Sequence, residues 1–342
     1  MTTQVAFLFP GQGSQAVGMG ADVFEASPAA RRVFESADEA LSISLSTICF
    51  QGPDDVLRET INTQPAIVTV SLALLAALQE ALTEHTSSWS SPLIPSYTAG
   101  HSVGEYAALV ASGALNLQDA VRLVRERGRL MHHEGTVCHG GMAAVIGMDA
   151  EILQEVCLEA TAQSVATPVD FNHPGLGQVS VANFNAPGQI VISGEQGALN
   201  LAMEQAKARG AKRVIPLAVS GAFHSPVMQP AAEGLARAIN SSEVYDATIP
   251  IIGNIHATPL IEAHAIREEL TQQIAAPVQW IRTIEYLADA GVTTFLEIGP
   301  GQALTGMVKR IAKGVTILNV SSVTDIEKVV GTIREMGLVV EV

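Results

Sequence analysis

Ser102 stands between Gly100 and Gly104 in the stretch YTAGHSVGEY, a G-x-S-x-G pattern at the point where an apolar run gives way to a helical one. Such a serine can sit on a cramped strand-to-helix turn with its hydroxyl exposed as a nucleophile, and its neighbours must be tiny for the backbone to fold so sharply. A serine that caps a helix leaves the same trace, so the pattern alone leaves both readings open. A nucleophile also needs a base in hydrogen-bond reach and donors for a developing oxyanion. His224, in PLAVSGAFHSPVM, follows an expected strand within a loop of small residues. Loops at strand ends are where catalytic groups sit in open α/β sheets; a buried structural histidine is the alternative. Val103, next after the serine, would offer its N–H at the positive end of the following helix. A second donor is expected from the glycine-rich loop at residues 9–15, FPGQGSQ. That loop lacks the spacing of a P-loop or a dinucleotide fingerprint.

Arg127 is the most informative charge. In LQDAVRLVRERGRLM the apolar residues Leu117, Ala120, Val121, Val124 and Met131 follow helical spacing, and Arg127 falls on the edge of their stripe. An arginine near a core must be paired, and its planar fork fits a carboxylate bidentately. The partner is either an internal Asp or Glu or the carboxylate of a substrate. His132, His133, Cys138 and His139 straddle a glycine-containing helix end without a recognised ligand spacing, so no metal site is expected.

The elements that must position these groups follow from the apolar runs. VAFLF at residues 5–9 ends at Pro10-Gly11 and reads as a buried strand entering a loop. Helical periodicity runs over about residues 22–84, with breaks expected near Gly52-Pro53 and Gln64-Pro65. Residues 104–111 read as a small-residue helix packed tightly on a sheet, and about 117–133 as another helix. IPIIGNI, TTFLEIG and VTILNVS alternate with helical segments, which predicts a parallel sheet covered on both faces. The middle differs: MAAVIGM, QVSVANF, QIVISGE and KRVIPLAV are strand-like, with helices after the first and third. That β-α-β-β-α-β order is ferredoxin-like. The fold class is therefore α/β, a large α/β-hydrolase-like domain (residues 1–137 and 218–342) with a small ferredoxin-like subdomain (138–217) inserted into it. A site between the two is the default expectation.

With 342 residues the chain exceeds one typical domain, and 48% hydrophobic against 15% charged residues is a globular composition. The net charge of −15 argues against nucleic acid and against an anionic membrane as partners, without excluding a local basic patch. Cys49, Cys138 and Cys157 are too scattered for a disulfide framework. The N-terminus lacks a basic leader, and the longest apolar run, residues 66–78, falls short of the ~20 positions a membrane span needs. The expectation is a soluble, cytoplasmic protein.

FLFPGQGSQ, TQPAI, GHSVGEYAALVASGAL, RERGRLM, SGAFHSPVM, AAPVQW and EIGPGQALTGM, in that order, resemble the malonyl-CoA:acyl carrier protein transacylases and the related acyltransferase domains of fatty acid and polyketide synthases. The resemblance implies Ser102 as nucleophile and His224 as its base, in a dyad whose histidine is oriented by a main-chain carbonyl, that of Gln273. It implies Gln12 and Val103 as oxyanion donors and Arg127 as the binder of the malonyl carboxylate. Phe223 would then crowd the α-carbon and disfavour methylmalonyl, and His101 would line the cleft. No metal or cofactor is called for; the partners would be malonyl-CoA and acyl carrier protein. Carriers of this kind are typically acidic, so docking is expected on Lys207, Arg209, Lys212 and Arg213 or on Lys309, Arg310 and Lys313. Two alternatives are an acyl hydrolase that unloads carriers, which would not need Arg127, and a non-catalytic docking module, which would not need Ser102 and His224.

Overall fold

The computed structural model describes residues 4–84, 93–166 and 177–338. Among these residues ten strands run in chain order: β1 (Gln4–Phe9), β2 (Tyr97–Gly100), β3 (Gly140–Ile146), β4 (Val179–Ala186), β5 (Gln189–Glu195), β6 (Arg213–Pro216), β7 (Ile251–Ile252), β8 (Pro259–Leu260), β9 (Val292–Ile298) and β10 (Thr316–Val320). They form a six-stranded sheet of order β10-β9-β1-β2-β7-β8 and a four-stranded sheet of order β4-β5-β3-β6. The large sheet is parallel except for β8, which returns antiparallel on β7 at the edge.

β1 explains how one short run can hold such a sheet together. Its period-2 alternation sends Val5, Phe7 and Phe9 into one core and Ala6 and Leu8 into another, so both faces are covered. Helices Thr60–Glu84 and Leu117–Val137 pack on the first face; Trp280–Asp289 and Ala303–Ile311 pack on the second. The small sheet has its own core, made with helices Ala150–Ala166 and Gln196–Ala208. All its pairings are antiparallel, and its strand order is that of a ferredoxin-like unit.

Two expectations are corrected. The helical stretch does not break at Gln64-Pro65: Pro65 lies inside Thr60–Glu84, near its N-terminus, where its missing N–H forfeits one ladder bond, to the Ile61 carbonyl, and the packed helix runs on. The expected break around Gly52-Pro53 is there, and further breaks fall at Ser27, at Ser42–Ser44 and at Glu59. The same helix is also longer and more apolar than the run at 66–78 suggested. Residues Thr60–Thr83 are long and apolar enough to cross a membrane by length and composition, with a mean hydropathy of 1.8. Its apolar residues are spent on the core, against the helices Pro28–Leu41 and Leu117–Val137. The latter helix also runs past His133 to Val137.

The two sheets meet along β4. Phe184 N–H donates to Val278 O (2.9 Å) and Val278 N–H to Ala182 O (2.8 Å), so the segment before the helix Trp280–Asp289 extends the small sheet by one bridge. A second tie comes from Arg310, which donates to Gln189 Oε1 (2.6 Å) and to the Pro187 carbonyl in the turn between β4 and β5.

Candidate active site

β2 ends at Gly100, and the helix Gly104–Ala111 begins four residues later. Between them Ser102 is held at φ 52°, a left-handed conformation that a non-glycine residue adopts only when its surroundings impose it. The surroundings are specific. A Cβ on Gly100 would lie 2.0 Å from Gly104 C, and one on Gly104 would lie 2.2 Å from Phe9 O, so neither position admits a side chain. Asn254, at the end of β7, stitches the turn: its Oδ1 accepts from Ser102 N–H (2.7 Å) and its Nδ2 donates to Gly100 O (2.8 Å).

His224 is likewise held at φ 56°. Its main-chain N–H donates to Ile274 O (3.0 Å), and its Nδ1 lies 3.0 Å from Gln273 O and 3.1 Å from Ala276 O. Both neighbours of Nδ1 are carbonyls, so that nitrogen carries the hydrogen and Nε2 presents its lone pair. Nε2 lies 2.6 Å from Ser102 Oγ. Ser102 and His224 are thus brought together, and beside the Gln273 carbonyl stands a second one, from Ala276. Burial, with the nearby Arg127 charge second, pushes the His224 pKa down to about 3.

Arg127 projects from the helix Leu117–Val137 and is fully buried rather than at the edge of the stripe. Gly128, its neighbour, is pressed against the main chain of Thr60 and Ile61, which brings the start of the long helix alongside. From there Gln64 Oε1 accepts from Arg127 Nη1 (2.7 Å). Arg127 Nη2 donates to Gln273 Oε1 (2.8 Å) and to Ser102 Oγ (3.2 Å). All three partners are neutral. Among the described residues no carboxylate pairs with Arg127, and its Nε is buried without an acceptor. Burial works against the guanidinium charge, and Tyr106 and Glu105 close by act in its favour.

The loop after β1 lines the cleft beside Ser102. Among the described residues neither Gln12 N–H nor Val103 N–H meets an acceptor, whereas Ser102 N–H is taken by Asn254. Gln12 is fixed by its side chain: Oε1 accepts from Thr60 Oγ1 (3.1 Å), which accepts in turn from Gln64 Nε2 (2.9 Å). One chain of contacts thus runs from the loop to Arg127. A cleft of about 230 Å³ opens over Ser102, bounded by Gln12, Arg127, Phe223 and His224 on one side and by Asn183 and Val191 of the small sheet on the other. His101 lines it and spans it, with Nε2 2.8 Å from Asn185 Oδ1. Burial pushes the His101 pKa down, and its ring rests edge-on against Trp280, 5.4 Å between centroids.

Asn254, Gln64, Ala276 and Asn185 escaped the sequence reading. Asn254 had a weak local signal, a Gly-Asn step at a strand end in IIGNI; the others are brought in by partners far along the chain. Among the described residues no cluster of His, Cys, Asp or Glu could hold a metal ion, and His132 and His133 lie on an exposed helix face.

The arrangement has the parts that serine acyl transfer needs: a hydroxyl against an imidazole lone pair, two N–H groups without acceptors among the described residues, and a buried cation in reach. The sequence matches the acyl transferase domain family over residues 6–337. It is 44% identical over 333 residues to the malonyl CoA-acyl carrier protein transacylase of Bacillus subtilis, covering 97% of this chain and 98% of that one. Among solved structures, an acyl-carrier-protein S-malonyltransferase from Bartonella henselae superposes with a TM-score of 0.87 at 39% identity, covering 98% and 100% of the two chains. A malonyl-transacylase in complex with its type II PKS acyl-carrier protein superposes with a TM-score of 0.86 at 37% identity, covering 96% and 100%. The fold, the site and the length of the match agree, and the chain belongs to the acyl transferase domain family.

Proposed function

We propose that this enzyme moves a malonyl group from malonyl-CoA to the pantetheine thiol of an acyl carrier protein through a malonyl ester on Ser102. The observation that carries the reading is Arg127, a fully buried guanidinium 3.2 Å from the nucleophile with only neutral partners. A buried cation without a counter-ion is costly. A substrate with a free carboxylate three carbons from CoA sulfur supplies that counter-ion, and malonyl does.

The steps follow from the geometry. Ser102 Oγ gives its proton to His224 Nε2 as it attacks the thioester carbonyl. The tetrahedral oxyanion is received by the Gln12 and Val103 N–H groups, each worth about 3 kcal/mol by the general scale of such donors. Collapse expels CoA, whose sulfur takes the proton from His224. The carrier's thiol then gives its proton to His224, attacks the ester carbonyl and leaves with the malonyl group, and Ser102 recovers its proton. The Arg127 charge is one cause of the low His224 pKa. A carboxylate seated on Arg127 offsets that charge and makes His224 a better base when the right substrate is bound.

In this reading residues 138–217 act as a subdomain that closes the cleft, on a remainder formed by 1–137 and 218–342. Phe223, buried beside His224 on the cleft wall, disfavours an α-methyl group. The three cysteines are free, which suits a reducing cytoplasm. The carrier docks on basic side chains at the ends of the helices Gln196–Ala208 and Ala303–Ile311. Arg209 is engaged with Glu155 and Glu159, and Arg310 with the turn after β4, which leaves Lys207, Lys212, Arg213, Lys309 and Lys313 as the cations to meet an acidic partner. The test is intact mass after mixing with malonyl-CoA, acetyl-CoA and methylmalonyl-CoA separately. A malonyl adduct dominating the other two is expected, and an acetyl adduct of equal yield would overturn the assignment.

A further inference from the structure

Behind the nucleophile lies a pair of buried carboxyl groups that the chemistry above does not use. Glu105, one residue into the helix after the elbow, is 1% exposed, and Glu269, on the helix Ala263–Gln272, is 6% exposed. No cation pairs with either among the described residues. Glu269 Oε1 accepts from Ile255 N–H (2.8 Å), and the Asn254 N–H faces both carboxyls. Glu105 Oε2 accepts from Gln273 Nε2. The same Nε2 donates to Ser102 O (3.0 Å), while Gln273 Oε1 accepts from Arg127 Nη2 (2.8 Å). The Gln273 main-chain carbonyl is the one that holds His224 Nδ1.

An amide can turn end for end about its last torsion, exchanging its oxygen and nitrogen. Were Gln273 to do so, an NH₂ would face the Arg127 guanidinium, donor against donor. What forbids the turn is the acceptor pair on the other side, Ser102 O and Glu105 Oε2. We propose that Glu105 is a positioning residue for acyl-group selection, locking the Gln273 amide so that its oxygen faces Arg127 and holds the guanidinium fork open toward a substrate carboxylate. The proposal rests on the reading of Arg127 as the carboxylate binder.

The lock also keeps Glu105 away from Arg127. A carboxylate that reached the guanidinium would occupy the fork itself and compete with substrate. Gln273 stands between them, and Glu105 has a second reason to stay apart: burial first, then the neighbouring Glu269, push its pKa well above the usual carboxylate range. As a neutral acid it still offers its carbonyl oxygen to Gln273, so the role needs an acceptor and not a charge.

The experiment reads the malonyl-to-acetyl loading ratio by single-turnover mass spectrometry for wild type, Glu105→Leu, Glu105→Asp, Glu105→Gln and Arg127→Ala. Glu105→Leu removes the acceptor, and Glu105→Asp withdraws it by one methylene. Each is expected to lower the ratio about tenfold, the scale of one hydrogen bond on the fork, with acetyl loading itself little changed. Glu105→Gln keeps a carbonyl oxygen in place and should hold the ratio within about twofold of wild type. In a Gln273→Leu background the Glu105→Leu effect on the ratio should vanish, because it acts through that amide. An unchanged ratio in folded Glu105→Leu or Glu105→Asp overturns the proposal, as does an equal loss in Glu105→Gln. If Glu105→Leu does not fold, Glu105→Asp and Glu105→Gln decide the matter. If Arg127→Ala leaves the ratio unmoved, the carboxylate reading itself has failed; if it moves while the Glu105 variants do not, the positioning role alone has failed.

Discussion

Replacing Arg127 by alanine tests the basis of substrate choice most directly. In the free enzyme the guanidinium spends three hydrogen bonds on Gln64, Gln273 and Ser102, and its Nε has no acceptor among the described residues. A malonyl carboxylate can take two charge-assisted bonds on the fork. Charged hydrogen bonds contribute about 1.5–3 kcal/mol each, and two on one group are not additive, so about 3 kcal/mol is a fair lower figure for malonyl over acetyl. At 1.4 kcal/mol per decade that is a change of about a hundredfold in the ratio of the two kcat/KM values. The variant also loses the bond to Ser102 Oγ, but that loss falls on both substrates and cancels in the ratio. Arg127→Lys should sit between, because an ammonium cannot present a fork. Quenched-flow acylation with each acyl-CoA, on all three proteins, measures the ratio. A shift of less than about threefold in Arg127→Ala would refute the reasoning and make the guanidinium a structural member of the Gln64–Gln273 network.

Ser102→Ala should abolish the acyl-enzyme while leaving circular dichroism unchanged; any malonyl adduct on the variant contradicts the nucleophile assignment. His224→Ala should slow acylation by at least about a hundredfold, the usual scale for a lost general base. With the His224 pKa held near about 3 by burial and Arg127, wild-type kcat/KM should stay level as pH falls through 6.5, and a descending limb centred there would contradict it. Burial raises the Glu269 pKa to about 7, above its unfolded value, so its contribution to stability is complete below about pH 4.5 and lost as pH rises through 7. Glu269→Gln should therefore show a smaller drop in Tm between pH 6 and pH 8 than wild type, and an equal drop would count against that assignment. Reversing the charge of Lys207 and Lys212, or of Lys309 and Lys313, should raise the KM for carrier protein several-fold and leave malonyl-CoA acylation unchanged; salt-insensitive transfer with wild-type KM would place docking elsewhere.

The sequence disclosed those parts of the site whose reasons are local. Two glycines around Ser102 announce a turn that tolerates no Cβ, a charge in an apolar stripe announces Arg127, and a small-residue loop after a strand announces His224. The main-chain carbonyl of Gln273 left no such trace, because any residue carries a carbonyl; only the family resemblance pointed to it. Asn254 and Gln273 reach Ser102 from 152 and 171 positions away, and Gln64 reaches Arg127 from 63. Amide side chains in ordinary contexts give no local hint that they will meet. The fold follows the same division. β1 and β9 were visible as apolar runs, and the small sheet as four strands with strong turn chemistry. β7 was visible too, inside the IPIIGNI run, whereas β8, two residues at the sheet edge, depends on its neighbour and is not. Pro65 misled because a proline's effect depends on how far into a helix it stands, and the helix start at Thr60 is set by tertiary contacts.

The place of β1 in the large sheet has a consequence for how the chain is made. β1 is an interior strand, paired on one side with β2 and on the other with β9, where Leu8 faces Glu297. A ribosome releases β1 long before β9 exists, so the VAFLF run spends most of synthesis with one edge unsatisfied and apolar on both faces. The small sheet, by contrast, closes within residues 140–216 and can form while the rest is still being translated. Biogenesis should then proceed from the middle outward, with the catalytic sheet completed last by long-range pairing, the slow and aggregation-exposed kind. The nucleophile's turn, where Gly104 presses on Phe9 and Asn254 ties both ends, can be locked only once Asn254 has been made, so the nascent enzyme gains its reactivity late in synthesis.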